Sequence, residues 1–344
     1  MSANTQKTMG VNSPTQEERK SEQPQRKRRK IWNYQPDKPL EYSPFFNWPP
    51  SFKKISDFIG ASYFSLSIKM FVLGLALLSI AFLAPSYETT HSFAASWVSG
   101  IFIRNLALMM VIAGGLHLYF YTFAKQGLQL KFDARSMAKD SGAFKFRNQV
   151  WDNMYYSLVY GVSFWTFLEV LLLWSLKNGY MPLSTWSDGP VWFVLAILLI
   201  PLWHSFHFYW VHRLLHWEPL YKMVHSLHHK NVNVGPWSGM SMHPIESFFY
   251  LTSVLIHFAV PTSPLHIVYH LMFLIFNAVI SHSGFEALLV KNKSTVKMGR
   301  FYHQLHHKFF SCNYGTAEMP WDAWFGSFHD GTQEAHERIF GKRK

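Results

Sequence analysis

Apolar and polar residues follow one another in long blocks along this chain of 344 residues. Residues 1–60 are polar, and the remainder is dominated by apolar runs. Because a helix needs about 20 apolar residues to cross a bilayer, four runs qualify as transmembrane helices. They are residues 62–84, 96–123, 154–176 and 191–211. The pattern predicts an all-α integral membrane bundle with about four transmembrane helices.

A shorter pair of apolar runs follows, at 247–260 and 264–281, with "PTSP" between them. As a helix, the first arm would be about 21 Å long, at 1.5 Å per residue. That length is less than the roughly 30 Å of a bilayer core. We therefore expect a helical hairpin that enters the membrane and returns, with two tilted spans as the alternative.

Lysine and arginine are distributed unevenly between the loops. Residues 85–95 contain none, whereas residues 124–153 contain six. Since positive charge collects in cytoplasmic loops, the N-terminus and the end of the fourth span are predicted to face the cytoplasm. The hairpin then returns His282 to the same face.

Composition narrows the class further. The formal net charge is +12, and beside apolar spans this indicates an anionic membrane surface rather than nucleic acid. The cluster "RKRRK" at 26–30 is interpreted as a lipid-surface anchor, within a basic and partly disordered tail at 1–60. A single cysteine excludes an internal disulfide and any cysteine-based metal cluster. Residues 61–344 are expected to form one membrane-embedded domain.

The histidines concentrate in three short boxes, "HRLLH", "HSLHH" and "HQLHH". On a helix, positions i, i+3 and i+4 share a face, so each box points its imidazoles one way. Eight imidazoles are too many for one zinc ion, but they suit two metal ions with open positions. Spacing alone leaves Zn, Cu, Fe and Ni open. The box residues are His212, His216, His225, His228, His229, His303, His306 and His307, and His282 stands at the end of the hairpin.

The remaining histidines receive a plainer interpretation. Ordinary hydrogen-bonded side chains are expected at His91, His257, His266, His270 and His336. His204 lies two helical turns before His212, so it either lines a substrate path or bonds a neighbouring helix. His243, in "MHPIE", is a tenth candidate ligand.

Several other polar residues stand in apolar surroundings. Asp322 is a candidate acceptor for the second N–H of a ligand imidazole, because a carboxylate in "PWDAWFGSF" needs a partner. Glu246, Asn277 and Asn313 are further candidates for this role, but for each of them a surface or capping role is favoured. Inside the spans, Glu169 is expected to make a polar contact within the bundle, and Arg104 to extend toward the outer surface.

The three boxes on a four-span chain resemble the fatty acid hydroxylase/sterol desaturase superfamily over roughly 144–330. "HRLLHWEPLYKMVHSLHHK", "MHPIE" and "WDAWFGSFHDG" look like sterol C-5 desaturase-type members, whereas "SHSGF" looks more like the sterol C-4 methyl oxidase branch. The resemblance implies a membrane di-iron enzyme whose site lies in the 212–307 region. The eight box histidines would be catalytic metal ligands, and His282 would be a ninth ligand.

The resemblance also implies a reaction class, in which O2 and two electrons attack an unactivated lipid C–H bond. The product is a double bond or an alcohol. A sterol-type substrate is favoured, with a fatty-acyl, sphingolipid or other lipid hydroxylase as the alternative. Electrons would come from a separate electron-transfer protein linked to NAD(P)H, because the chain has no fused "HPGG" segment. The host membrane is either the bacterial inner membrane or the endoplasmic reticulum.

A metal transporter is the alternative from another class. Such a protein would place ligands along a path through the membrane. Here the boxes gather at one predicted face, so an enzyme is favoured. A b-type haem protein would need only axial histidine pairs within spans and would leave the boxes unexplained.

Overall fold

A computed structural model describes residues 32–64, 67–291 and 293–341 of the chain. The basic cluster at 26–30 lies outside these residues. The helices are α1 (Phe52–Tyr63), α2 (Ile68–Phe82), α3 (Ala95–Thr122), α4 (Gln149–Lys177), α5 (Pro190–Leu215), α6 (218–229), α7 (Pro244–Leu251), α8 (Pro264–Ser281), α9 (Phe301–Phe309), α10 (Trp321–Trp324) and α11 (Gln333–Phe340). Short 3₁₀ helices cover Pro44–Phe46, Tyr87–His91, Pro236–Met240 and Thr252–Phe258, and π-helical turns interrupt α3, α4 and α6.

Five segments in the described part are long and apolar enough to cross a membrane. They are Phe52–Phe82, which includes α1 and α2, together with α3, α4, α5 and α8. The first four contain the four predicted spans to within a few residues, and α8 is the second arm of the predicted hairpin. The prediction of an all-α, multi-pass membrane bundle is confirmed.

The first arm of the hairpin consists of α7 and the 3₁₀ helix Thr252–Phe258. At 1.5 Å and 2.0 Å per residue these two pieces add up to about 26 Å. The first arm is therefore shorter than a bilayer core, as predicted. Pro264 stands at the start of α8, where its missing N–H removes no helical bond.

Helix α8 lies at the centre of the bundle. Fifteen of its 18 residues are buried, and it contacts α2, α4 and α5. The stretch "HIVYHLMFLIFNAVI" is apolar on all sides of the helix. This composition is typical of a buried helix and not of an amphipathic surface helix. Since α8 ends one residue before His282, the core of the bundle fixes the position of that imidazole.

The segment Pro236–Met240 lies directly against α8. A Cβ atom on Gly239 would be only 2.4 Å from the carbonyl oxygen of Ala278, so only glycine permits this approach. Ala278 in turn accepts a hydrogen bond from His282 Nδ1 at 2.8 Å.

An ion pair joins α3 to α4 inside the bundle. Both oxygens of Glu169 accept from the guanidinium of Arg104, and both side chains are buried. Asn105 donates to Glu169 and to Thr166. The polar contact expected of Glu169 is therefore present. The expectation for Arg104 was wrong, because a buried carboxylate holds its guanidinium inside the bundle.

Histidines of the hairpin region make ordinary hydrogen bonds, as expected. His266 Nε2 donates to the carbonyl of Phe193 at 2.9 Å. His257 contacts Thr262 at 2.9 Å and His270 at 3.1 Å.

One element was not predicted, an antiparallel hairpin of β1 (Ala287–Val290) and β2 (Lys293–Lys297) between α8 and α9. Leu288 and Val296 are paired across it and pack against the core. The strands are too short for their alternation to stand out in the sequence. The division of the chain at residue 60 stays a prediction. Within the described residues, Trp32 packs edge-to-face on Phe301, with the ring centroids 4.9 Å apart.

Candidate metal centre

Nine histidines meet where α5 ends and α6, α8 and α9 come together, and they are the nine predicted from the sequence. Their ring nitrogens form two groups, each with all of its nitrogens within 4.8 Å of one another. Site A comprises His212, His216, His225, His229 and His306, and site B comprises His228, His282, His303 and His307. All nine are buried except His216, which is half-buried.

The two HxxHH boxes are shared between the sites. The first and last histidines of "HSLHH" belong to site A and its middle histidine, His228, to site B. In "HQLHH" the assignment is reversed: His303 and His307 belong to site B, and the middle histidine, His306, belongs to site A. At 3.6 residues per turn, positions i and i+4 differ by about 40° around a helix, whereas i+3 and i+4 differ by about 100°. The i and i+4 rings therefore face one site, and the i+3 ring faces the other. The prediction that each box points all of its imidazoles one way was wrong for these two boxes.

The Nε2 atoms are the convergent atoms of both sites. In site A, six Nε2–Nε2 pairs are 3.0–3.2 Å apart. In site B, the Nε2 atoms of His282, His303 and His307 are also 3.0–3.2 Å apart.

For three of these rings, the hydrogen bond made by Nδ1 shows which ring nitrogen carries the proton. His212 Nδ1 is 2.6 Å from the carbonyl oxygen of Tyr314, and His306 Nδ1 is 2.6 Å from that of Cys312. His282 Nδ1 is bonded in the same way to Ala278. A carbonyl oxygen can only accept, so each Nδ1 carries the proton and each Nε2 presents a lone pair. These lone pairs point into the sites, where a bound cation would accept them. The arrangement therefore fits a metal ion at each site.

The spacing also fits nitrogens that bind one metal ion. Imidazole nitrogens about 2.1 Å from a shared metal lie about 3.0–3.4 Å apart. The observed 3.0–3.2 Å falls in this range. Five ligands at site A also exceed the four of a tetrahedral zinc site.

Electrostatics keep these imidazoles in the form that binds metals. Burial lowers the pKa of His228 to about 4 and the pKa of His282 to about 3, and the charge of His228 contributes to the second shift. Burial, followed by the neighbouring histidines, also holds the pKa values of His303, His306 and His307 well below their usual range. The rings are neutral at pH 7, which metal coordination requires.

Glu246 is the carboxylate that contacts a ligand directly. Its Oε1 is 2.7 Å from His225 Nδ1, and both side chains are buried. Such a contact orients the ring and raises its basicity as a ligand. The sequence analysis treated Glu246 as a surface or capping residue, which was wrong. A carboxylate inside the apolar stretch that follows "MHP" was the signal that could have identified it.

Asp322, the predicted acceptor, supports the site through the backbone segment that bonds a ligand ring, and not through a bond to the ring itself. It accepts from the backbone N–H groups of Tyr314 and Gly315, at 2.9 and 2.7 Å, and from the hydroxyl of Tyr302. It thereby holds the Tyr314 carbonyl that receives His212 Nδ1.

Two further candidates are placed by the structure. His243 belongs to neither site and instead caps α7, where its Nδ1 accepts from the N–H of Ile245 at 3.3 Å. His204 lines a cavity beside the metal centre, and its role on a substrate path stays a prediction.

This first cavity connects the two sites with the apolar interior. It is lined by site A residues His212 and His225, by site B residues His228, His282 and His303, and by apolar side chains such as Phe208, Met242 and Tyr250. The space in it that is open to a water-sized sphere is about 50 Å³, smaller than the roughly 300–1,000 Å³ of small-molecule pockets, so a bound lipid would displace lining side chains. An apolar molecule in this cavity would lie against ligands of both sites.

Comparison with known proteins agrees with this geometry. The family model for fatty acid hydroxylase matches residues 197–327, which include all nine histidines. The Delta(7)-sterol 5(6)-desaturase of Eremothecium gossypii is 31% identical over 52% of this chain and 50% of its own length. The probable Delta(7)-sterol 5(6)-desaturase of Neurospora crassa is 29% identical over 69% of each chain. The Delta(7)-sterol 5(6)-desaturase of Saccharomyces cerevisiae is 26% identical over 75% of this chain and 67% of its own length.

For several of the relatives that it matches, the chain spans about half of their length. No solved structure matches the chain significantly. The family model and the named relatives do not favour a metal transporter. The matched region contains the whole histidine centre, and over that region the chain is similar to the fatty acid hydroxylase family and to these sterol desaturases.

Proposed function

We propose that this protein is a membrane di-iron oxidoreductase that uses O2 to introduce a double bond into a sterol. The observation that carries the proposal is the convergence of ring nitrogens from nine histidines on two adjacent sites that border one apolar cavity. The names of the relatives support sterol desaturation over hydroxylation of a fatty-acyl chain or sphingolipid.

Iron is the metal that we assign to both sites. Imidazole suits iron, and the five histidines of site A exceed the four ligands of a tetrahedral zinc site. Site A would hold one ion through five histidines and site B the other through four. Bound iron would supply the redox chemistry, in which O2, two electrons and two protons together with two hydrogens removed from adjacent carbons give the double bond and two molecules of water.

The chain itself supplies positions and a dry environment. Glu246 and the carbonyls of Tyr314, Cys312 and Ala278 fix the orientation of four ligand rings. Buried apolar side chains around the first cavity exclude water and hold the lipid against both sites. Both ions border one cavity, so a C–H bond held there can be reached from either.

The topology supports a site on the cytoplasmic face. The loop at 124–153, which carries six positive charges, precedes α4, and α5 returns to the same side with His212 in its last turn. A soluble or membrane-bound electron-transfer protein linked to NAD(P)H could therefore reach the half-buried His216 edge of site A. The fungal relatives favour the endoplasmic reticulum as the host membrane.

The proposal is tested with the full chain in lipid nanodiscs, loaded with iron and supplied with O2, NADPH, a reductase and a Delta(7)-sterol. Mass spectrometry should show a product lighter by two hydrogens, and the His306→Ala variant should form none. A product heavier by one oxygen would identify a hydroxylase. No sterol product from iron-loaded wild type would contradict the proposal.

A further inference from the structure

A second cavity adjoins the first. It has a volume of about 530 Å³ and lies between α1, the start of α2, α8 and the segment 297–302. Asn277, Arg300 and Tyr302 line both cavities and lie between them. Since Tyr302 precedes a site B ligand, this shared wall lies immediately beside the metal centre.

The second cavity lies at a membrane-facing edge of the protein. Helix α1, which contributes Phe58 and Ser62 to its lining, is flanked by exposed aromatic side chains. Trp48, Phe52 and Phe64 are each more than four-fifths exposed. Aromatic residues are enriched at the membrane–water interface, so this edge fits the level where the polar ends of lipids lie.

Lys69, at the start of α2, lines the second cavity and is only 9% exposed. Its Nζ is 3.8 Å from Glu318, beyond hydrogen-bonding distance, and both oxygens of Glu318 already accept from Arg300, at 2.8 and 2.6 Å. Within the described residues, the ammonium's other contacts are the rings of Phe58 and Tyr63, at 5.5 and 5.3 Å. A buried ammonium has three donors to satisfy, so a ligand acceptor in the cavity would stabilise it.

Glu286 also lines the second cavity, and one of its carboxylate oxygens is not hydrogen-bonded within the described residues. Its Oε2 is buried and, among the described residues, has no hydrogen-bond partner. Burial raises its pKa, against the opposing effect of Lys297 and Arg300. This side chain can exchange a hydrogen bond with a neutral ligand.

The charges around the cavity are balanced. The lining contains three basic residues and three acidic residues, namely Lys69, Lys297, Arg300, Glu41, Glu286 and Glu318. A polyanionic head group would meet three carboxylates, whereas a hydroxyl group needs no net charge opposite it. The balance therefore favours an uncharged polar end.

We propose that the second cavity binds the hydroxyl end of the lipid substrate, and that Lys69 donates a hydrogen bond to the hydroxyl oxygen. This inference rests on the proposed function. In a sterol, the hydroxyl-bearing ring adjoins the carbons at positions 5 and 6, so the hydroxyl must bind close to the metals. A subsite joined to the metal cavity through Arg300 and Tyr302 meets that requirement.

The test is competition binding to the full chain in phosphatidylcholine nanodiscs, with a tritiated Delta(7)-sterol and its 3-deoxy analogue. Wild type should prefer the hydroxylated sterol by roughly 10- to 100-fold, the worth of one charge-assisted hydrogen bond. Lys69→Met should lose most of this preference, and Lys69→Arg should keep it. Lys53→Met is the matched control, since that side chain is 85% exposed, and its preference should equal that of wild type.

Equal preference in wild type and Lys69→Met would overturn the subsite, as would a wild type that binds both sterols equally. Displacement of the sterol by phosphatidic acid in wild type, but not in Lys69→Met, would assign the site to a lipid phosphate and overturn the hydroxyl assignment. Wild type that shows the preference but desaturates no sterol would contradict the proposed function alone. Desaturation by a wild type whose preference survives in Lys69→Met would contradict the subsite alone.

Discussion

Replacing Gly239 with alanine should destabilise the bundle and disturb site B. The added Cβ would lie 2.4 Å from the Ala278 oxygen and 2.8 Å from the nitrogen of Val279. Ordinary contact begins near 3.4 Å, so one backbone must move by about 1 Å, and overpacking of this kind costs about 1–3 kcal/mol. Because Ala278 accepts from His282 Nδ1, the movement also turns a ligand of site B.

We expect the free energy of unfolding of Gly239→Ala, measured by SDS titration, to fall by about 1–3 kcal/mol. The iron content should fall from two ions per chain toward one, because site A keeps its five histidines. Gly161→Ala is the matched control, since its Cβ would meet the neighbouring Met240 at an ordinary 3.5 Å. The reasoning would be refuted if Gly239→Ala unfolded like wild type and kept both ions.

Three other predictions follow from the site and the bundle. Glu246→Gln should weaken iron binding by roughly 10- to 100-fold in a chelator competition, because it removes the carboxylate that orients His225. Glu218→Gln, which changes an exposed carboxylate, should bind iron like wild type. Equal iron binding by the two variants would exclude the orienting role of Glu246. Glu169→Ala should lower the free energy of unfolding by about 3–5 kcal/mol, because it leaves the buried guanidinium of Arg104 without its carboxylate. Replacing Arg104 with methionine in the same chain should restore most of the lost stability. Stability equal to wild type would contradict this. In iron-free protein, the pKa of His228 is lowered from 6.5 to about 4 and that of His282 to about 3. Between pH 6.5 and 4 the unfolded chain therefore binds protons at these histidines that the folded chain does not bind. The free energy of unfolding should fall as the pH falls through this range. Thermal unfolding midpoints that stay constant from pH 7 to pH 5 would contradict this.

The sequence predicted the spans and the ligand candidates because both follow from local patterns. Runs of about 20 apolar residues have few alternatives to a membrane helix. Histidines spaced three and four residues apart lie on neighbouring parts of a helix surface wherever that helix lies, so each box could be identified as a ligand group. The same periodicity placed His204 on the face that lines the first cavity.

The assignment of each imidazole to a site could not be predicted, since it depends on how α5, α6 and α9 are oriented around the centre. His228 and His229 are neighbours in the chain, yet they belong to different sites. Contacts between distant segments were missed for the same reason. The bond from Glu246 to His225 and the ion pair between Arg104 and Glu169 exist only once the helices have packed.

Iron content per chain, measured by plasma mass spectrometry after anaerobic loading, tests the central claim most directly. Wild type should hold two iron ions, and a variant with His303 and His307 both replaced by alanine should hold one, because site A remains complete. A single iron ion in wild type, or two ions in that variant, would contradict the two-site centre.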